Sequence, residues 1–174
     1  MEILKFVTLE SMNLQKLMEI YREGNEENIS YFFPDETDRL AGLRKVEQKF
    51  HDYLKTDFFS KEGNIYYVLE EEGNWISAIR LFPVEGKKNT FYAEALETAP
   101  EYRRKGYAKK MMNLLFGKLK EDGSFEITDT VNKKNEASLK LHLACGFEIF
   151  KDPAVCVLNG HVDERAYTMR YACD

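Results

Sequence analysis

Residues 93–108 read AEALETAPEYRRKGYA, and a helical pattern runs on from there through Lys120. The stretch opens as a strand. Phe91, Tyr92, Ala93, Ala95, Leu96 and Thr98 form a mostly apolar run with aromatic and β-branched members. Pro100 closes it, because proline has no N–H to give to a sheet ladder. Ala108, Met111, Met112, Leu115 and Leu119 then recur at spacings of three and four, the period of an amphipathic helix.

The start of that helix has the wrong charge for a helix N-terminus. Exposed N–H donors and partial positive charge there favour acidic residues, yet this one carries Arg103, Arg104, Lys105, Lys109 and Lys110. A bound polyanion would reverse the sign, with the N–H groups and the cations acting together on phosphate. Gly106, without a Cβ, would let the backbone approach a phosphate closely. The plainer alternative is a glycine turn beside a solvated basic face.

Arg103-x-x-Gly106-x-Ala108 resembles the Arg/Gln-x-x-Gly-x-Gly/Ala signature of the GCN5-related N-acetyltransferase (GNAT) superfamily, and Pro100-Glu101-Tyr102-Arg103 looks like the approach common there. A second stretch adds to it. Asn135-x-x-Ser138, then Leu141, His142 and a closing Gly146-Phe147, resembles the family's Asn-x-x-Ser, Leu-Tyr and Gly-Phe sequence, with His142 where tyrosine is usual. The matching core covers roughly residues 64–150.

The resemblance implies an α+β, three-layer fold: a mixed, mostly antiparallel sheet of about seven strands, flanked by about four helices, with a splayed parallel pair binding acyl-CoA. The pair would be Thr90–Thr98 and Phe125–Val131. Acetyl-CoA is then the expected acyl donor. Its pyrophosphate would sit on the amides of Arg104, Lys105, Gly106, Tyr107 and Ala108, its pantetheine on Leu96, Glu97 and Thr98, and its arm near Asn135, with Arg103 and Ser138 as further cofactor-binding residues. His142 would protonate the leaving thiolate, since an imidazole has an ordinary pKa of about 6.5, and Ser138, four residues earlier, would orient it. The alternative for His142 is a helix-surface residue without a chemical role.

Glu94 and Glu97 are candidates for the base, and strict alternation puts them on opposite faces. Glu94, sharing a face with Tyr92, Leu96 and Thr98, would have a raised pKa among apolar neighbours; a structural salt bridge is the alternative. The expected activity is N-acetyl transfer to a small-molecule or peptide amine. A non-catalytic acyl-CoA-binding sensor is the second reading, supported by the missing tyrosine.

Composition bounds these expectations. At 174 residues the chain reads as one domain over residues 1–174. Hydrophobic residues make up 44% and charged residues 32%, which suits a globular chain. A net charge of −5 argues against nucleic acid as the partner, leaving only the local Arg103–Lys110 patch for it. No apolar run approaches the roughly 20 residues that span a membrane, the charged start is no secretory signal, and Cys145, Cys156 and Cys173 read as free thiols of a reducing cytoplasm. His142 and Cys145 lack two further ligands at metal spacing, so no metal is expected. The reading is compatible with a homodimer.

Elsewhere, Ser11 is read as the cap of a first helix ending at Gly24-Asn25. The Gly24–Asp38 stretch reads as an acidic, aromatic loop: a solvated loop anchored by its aromatics, or one that would suit a cationic amine. A helix is expected over about Thr37–Lys55. Asp129 falls on the same strand face as Phe125, Ile127 and Val131. The tail is expected as a strand hairpin, Ala154–Asn159 and Asp163–Ala172, turning at Asn159-Gly160.

Overall fold

The computed structural model describes residues 1–173. Its elements run β1 (Glu2–Phe6), α1 (Leu14–Ile20), α2 (Arg22–Phe32), α3 (Arg39–Tyr53), β2 (Ile65–Glu71), β3 (Asn74–Pro83), β4 (Thr90–Thr98), α4 (Tyr107–Lys120), β5 (Phe125–Asn132), α5 (Glu136–Ala144), β6 (Glu148–Lys151), β7 (Ala154–Val155), β8 (Val162–Asp163) and β9 (Ala166–Cys173). Seven strands form one sheet in the order β1-β2-β3-β4-β5-β9-β6, and β7 pairs separately with β8. Every neighbouring pair in the large sheet is antiparallel except β4–β5. No helix among the described residues is long and apolar enough to cross a membrane.

Both faces of the sheet are covered. Successive residues of a strand point to opposite faces, so Tyr67 and Leu69 of β2 join one core while Tyr66 and Val68 join the other. The first core is closed by Met111, Met112, Leu115 and Leu119 of α4. This is the apolar stripe legible in the sequence. The second is closed by Leu17 and Ile20 of α1 and by Leu54 and Phe58 of the wide turn that ends α3.

The N-terminal helices differ from the expectation. Asn13, not Ser11, caps α1, its side chain accepting from the Lys16 N–H at 3.1 Å, while the Ser11 hydroxyl donates to the Thr8 carbonyl. Gly24-Asn25 does not end a helix. The chain turns at Tyr21 and continues as α2, so most of the expected acidic loop is helical. Gly24 costs that helix about 1 kcal/mol relative to alanine, and packing on α3 outweighs it. The contact is built on Gly42, where a Cβ would stand 2.6 Å from Cγ2 of Ile29. Asp38 caps α3, accepting from the N–H groups of Leu40 and Ala41, and Leu40 is exposed. Two of the five acids in the stretch form ion pairs: Glu26 with Arg39 and Glu36 with Lys45.

The tail is also corrected. Strand pairing of β7 with β8 is limited to Ala154↔Asp163 and Val155↔Val162. The Thr168 hydroxyl accepts from the Val155 N–H at 2.8 Å and holds β7 onto β9. β9 itself lies between β5 and β6, antiparallel to β5 from Phe125↔Cys173 to Asn132↔Ala166.

Candidate active site

The parallel pairing of β4 and β5 stops early. It runs from Thr90↔Glu126 to Ala93↔Asp129, yet β4 continues to Thr98 and β5 to Asn132. The strands therefore part after Ala93, and a cleft of about 690 Å³ opens between their free ends, α4 and α5. A bulge marks the parting. Three steps along β4, Glu94 to Glu97, face only two along β3, Arg80 to Ala78, and Ala95 takes up the extra residue at φ 55°. The Tyr21 hydroxyl donates to the Ala95 carbonyl at 2.7 Å, and the Tyr66 hydroxyl donates to Tyr21 at 2.7 Å. Burial raises the pKa of both phenols, which keeps them neutral.

The bulge overturns one expectation. Arg80 and Ala78, two apart on β3, share a face, so their partners Glu94 and Glu97 share one too. Glu94 lies 3.0 Å from Arg80 as an ion pair and does not line the cleft. Its neighbour is a guanidinium, not the apolar surface that alternation implied. Glu97 does line the cleft, accepting from the Thr98 N–H at 3.1 Å and pairing with Arg103 at 3.2 Å.

At one end of the cleft stands the basic turn. After the single turn Pro100–Tyr102, Arg104 and Gly106 adopt left-handed backbone, at φ 58° and 83°, and Gly106 caps α4 without any side chain serving its first N–H groups. A Cβ at Gly106 would meet no atom within 4 Å, so the glycine is required by its φ and not by packing. Arg103, Arg104, Gly106, Tyr107, Ala108 and Lys109 all line the cleft. Arg103 is already committed. It binds Glu23 of α2, Glu97, and the Thr98 carbonyl through Nε at 3.0 Å. Lys105 is not among the lining residues, and its Nζ stands 5.7 Å from the centre of the Tyr102 ring. Tyr107 lines the cleft while its hydroxyl donates to Glu71 at 2.9 Å.

The opposite wall comes from β5 and α5. Asn135 caps α5, accepting from the Ser138 N–H at 3.1 Å, and both line the cleft with Leu96, Thr98 and His142. His142 is no surface residue, being 2% exposed. Its Nδ1 lies 2.8 Å from the Ser138 carbonyl, an acceptor, so Nδ1 carries a proton. Ser138 thus orients the ring chiefly through its backbone. Nε2 lies 2.9 Å from Oδ2 of Asp129. With the Ser138 carbonyl at one ring nitrogen and the Asp129 carboxylate at the other, the surroundings favour the doubly protonated ring. Burial pulls the His142 pKa down, but the Asp129 hydrogen bond and charge and the Ser138 carbonyl outweigh it, leaving it above its ordinary value.

Asp129 was missing from the candidates. The available signal was an acid on a strand face otherwise made of Phe125, Ile127 and Val131. Arg80 and Tyr21, which shape the bulge from the other face, carry no local signal at all.

A model of the acetyltransferase (GNAT) family matches residues 14–147. The chain belongs to that family. Among curated proteins, this GNAT chain is 28% identical over 114 residues to the N-terminal acetyltransferase B complex catalytic subunit NAA20 of Arabidopsis thaliana, covering 64% of this chain and 66% of the relative, just under two thirds of its length. Two solved structures are similar in fold. One is the PaiA N-acetyltransferase of Thermoplasma acidophilum in complex with coenzyme A, at TM-score 0.61 and 18% identity over 98% of both chains. The other is the spermidine N-acetyltransferase of Vibrio cholerae in complex with CoA and spermine, at TM-score 0.61 and 16% identity over 98% of this chain and 95% of that one. The GNAT sheet with its parting parallel pair is therefore the fold of this chain.

Proposed function

We propose that this GNAT chain, folding as one domain, transfers an acetyl group from acetyl-CoA to the primary amine of a small molecule or peptide. The observation that carries the reading is the parting of β4 and β5 into a cleft whose end is an uncapped, cation-rich helix start. A thioester arm fits between the strand ends as an added strand does. The first N–H groups of α4, with Arg104 and Lys109, receive the pyrophosphate. Arg103 acts by holding the turn against α2 and β4.

Transfer needs two proton movements. The amine nitrogen attacks the thioester carbon, the C–S bond breaks, the amine loses a proton and the thiolate gains one. His142, held by Asp129 at 2.9 Å, is the group assigned to protonate the thiolate. Glu94 and Glu97, which flank the bulge on one face, are the carboxylates assigned to the amine. The engagement of both His142 nitrogens favours a second reading, an acyl-CoA-binding sensor without turnover.

The deciding test is a thermal-shift titration with acetyl-CoA, repeated on Gly106→Val, followed by an assay of CoA release with amines. At a hundred times its dissociation constant a ligand stabilises by about 2.7 kcal/mol. A shift in the parent that the variant loses, with amine-dependent CoA release, is the expected result. Binding without release would establish the sensor. No shift with folded protein would end both readings.

A further inference from the structure

A second cavity, of about 390 Å³, lies between α2, α3 and β3 and meets the acyl cleft at Ala95, which lines both. Phe32, Phe50 and Tyr53 wall it, and its charged lining residues are Lys49 and Arg80; no carboxylate lines it among the described residues. Arg80 stands 5.1 Å from the centre of the Tyr53 ring, and one of its nitrogens pairs with Glu94. Its Nε is buried without a hydrogen-bond partner among the described residues. Lys49 has only the face of Phe32, at 5.0 Å, and no ion-pair partner among the described residues.

Resting on the acetyltransferase reading, we infer that this cavity holds the far end of the acceptor and that this end is a carboxylate, so that the substrate is an amine carrying an anionic tail. The charges are laid out for such a molecule. Glu94 and Glu97 flank the bulge, where an ammonium would arrive, and Lys49 lines the cavity from α3. A guanidinium and a lysine lining one cavity together recognise a carboxylate. Aromatic walls add apolar surface and raise the strength of the charge pairing by excluding water. A diamine would place its second ammonium beside Lys49 and Arg80, a like-charge contact. This is the opposite of the acceptor that an acidic loop at Gly24–Asp38 would have implied, and the reason is that none of those acids lines the cavity.

The test uses three matched acceptors: 4-(aminomethyl)benzoate, 4-(aminomethyl)benzamide and p-xylylenediamine. They differ only in whether the far end is negative, neutral or positive. The expected result is kcat/KM at least tenfold higher for the carboxylate than for the amide, with the diamine lowest. Lys49→Glu, on an exposed helical position, should erase the carboxylate preference and raise the diamine above it. Equal rates for the three, a preference for the diamine, or no change of order in Lys49→Glu would overturn the inference. Binding of the benzoate is also followed by thermal shift without any CoA. Stabilisation by the benzoate alone, lost in Lys49→Glu, would support the cavity even if no acceptor were turned over; no stabilisation and no turnover of the benzoate would sink it. Loss of acetyl-CoA binding is read separately and bears on the acetyltransferase reading alone.

Discussion

His142 and Asp129 meet at 2.9 Å in a nearly closed part of the fold, and stability should report the contact. The pKa of His142 is raised in the folded chain, so the pair stabilises fully below the unfolded histidine pKa of about 6.5 and loses that contribution as pH rises through the higher folded value. Asp129→Asn should therefore cost most at pH 6, on the order of 3 kcal/mol for a broken buried pair, and clearly less at pH 9. Melting temperatures of parent and variant across that range check it; a constant difference would mean that no charge is shared. In catalysis, His142→Phe should lower kcat at least tenfold while acetyl-CoA affinity stays within about threefold, in line with the share that general acids contribute. Unchanged turnover would remove the pair from the mechanism.

Among the elements, β4 is the one whose irregularity matters. A strand that merely alternated would place Glu94 and Glu97 on opposite faces; the extra residue at Ala95 brings them together and turns its carbonyl to Tyr21. Tyr21→Phe removes the hydroxyl that donates to that carbonyl and strands the Tyr66 hydroxyl as well. The expected loss is about 1–3 kcal/mol, the cost of buried groups left unpaired, together with a raised KM for the amine and little change for acetyl-CoA. A variant with parent stability and parent KM would show that the bulge holds itself. At α4 the period of three and four was legible and so was the charge anomaly, because both are local. The cap of α1 and the fate of Gly24 were not, since each was settled by a neighbour: Lys16 finding Asn13, and α2 finding the space above Gly42.

Across the whole molecule, two cores share one sheet, and β2 and β3 contribute to both. Damage to either should thus be felt by the other. Phe58→Ala and Met111→Ala lie in different cores, both fully buried. Each should lower a single unfolding transition, by about 3–5 and 2–5 kcal/mol respectively. Two separate transitions in denaturant, monitored by fluorescence and circular dichroism, would divide the chain into independent units.

What the sequence determined by itself was local: the periods of α4, β5 and α5, the glycine turn among cations, and the spacing from Asn135 to Phe147, each written in residues a few positions apart. That was enough for the family and for many of the residues that wall the cleft between β4 and β5, though not for Asp129, and Lys105 falls outside it. The tertiary structure alone decided what depends on contacts distant in the chain. It set Glu94 against Arg80, closed the hydrogen-bond chain from Tyr66 through Tyr21 to Ala95, put Asp129 beneath His142, and made an aromatic, cationic cavity from α2, α3 and β3. No period or motif encodes those pairings. They follow from burial, which forces each polar group taken from water to find a partner wherever the packed chain provides one.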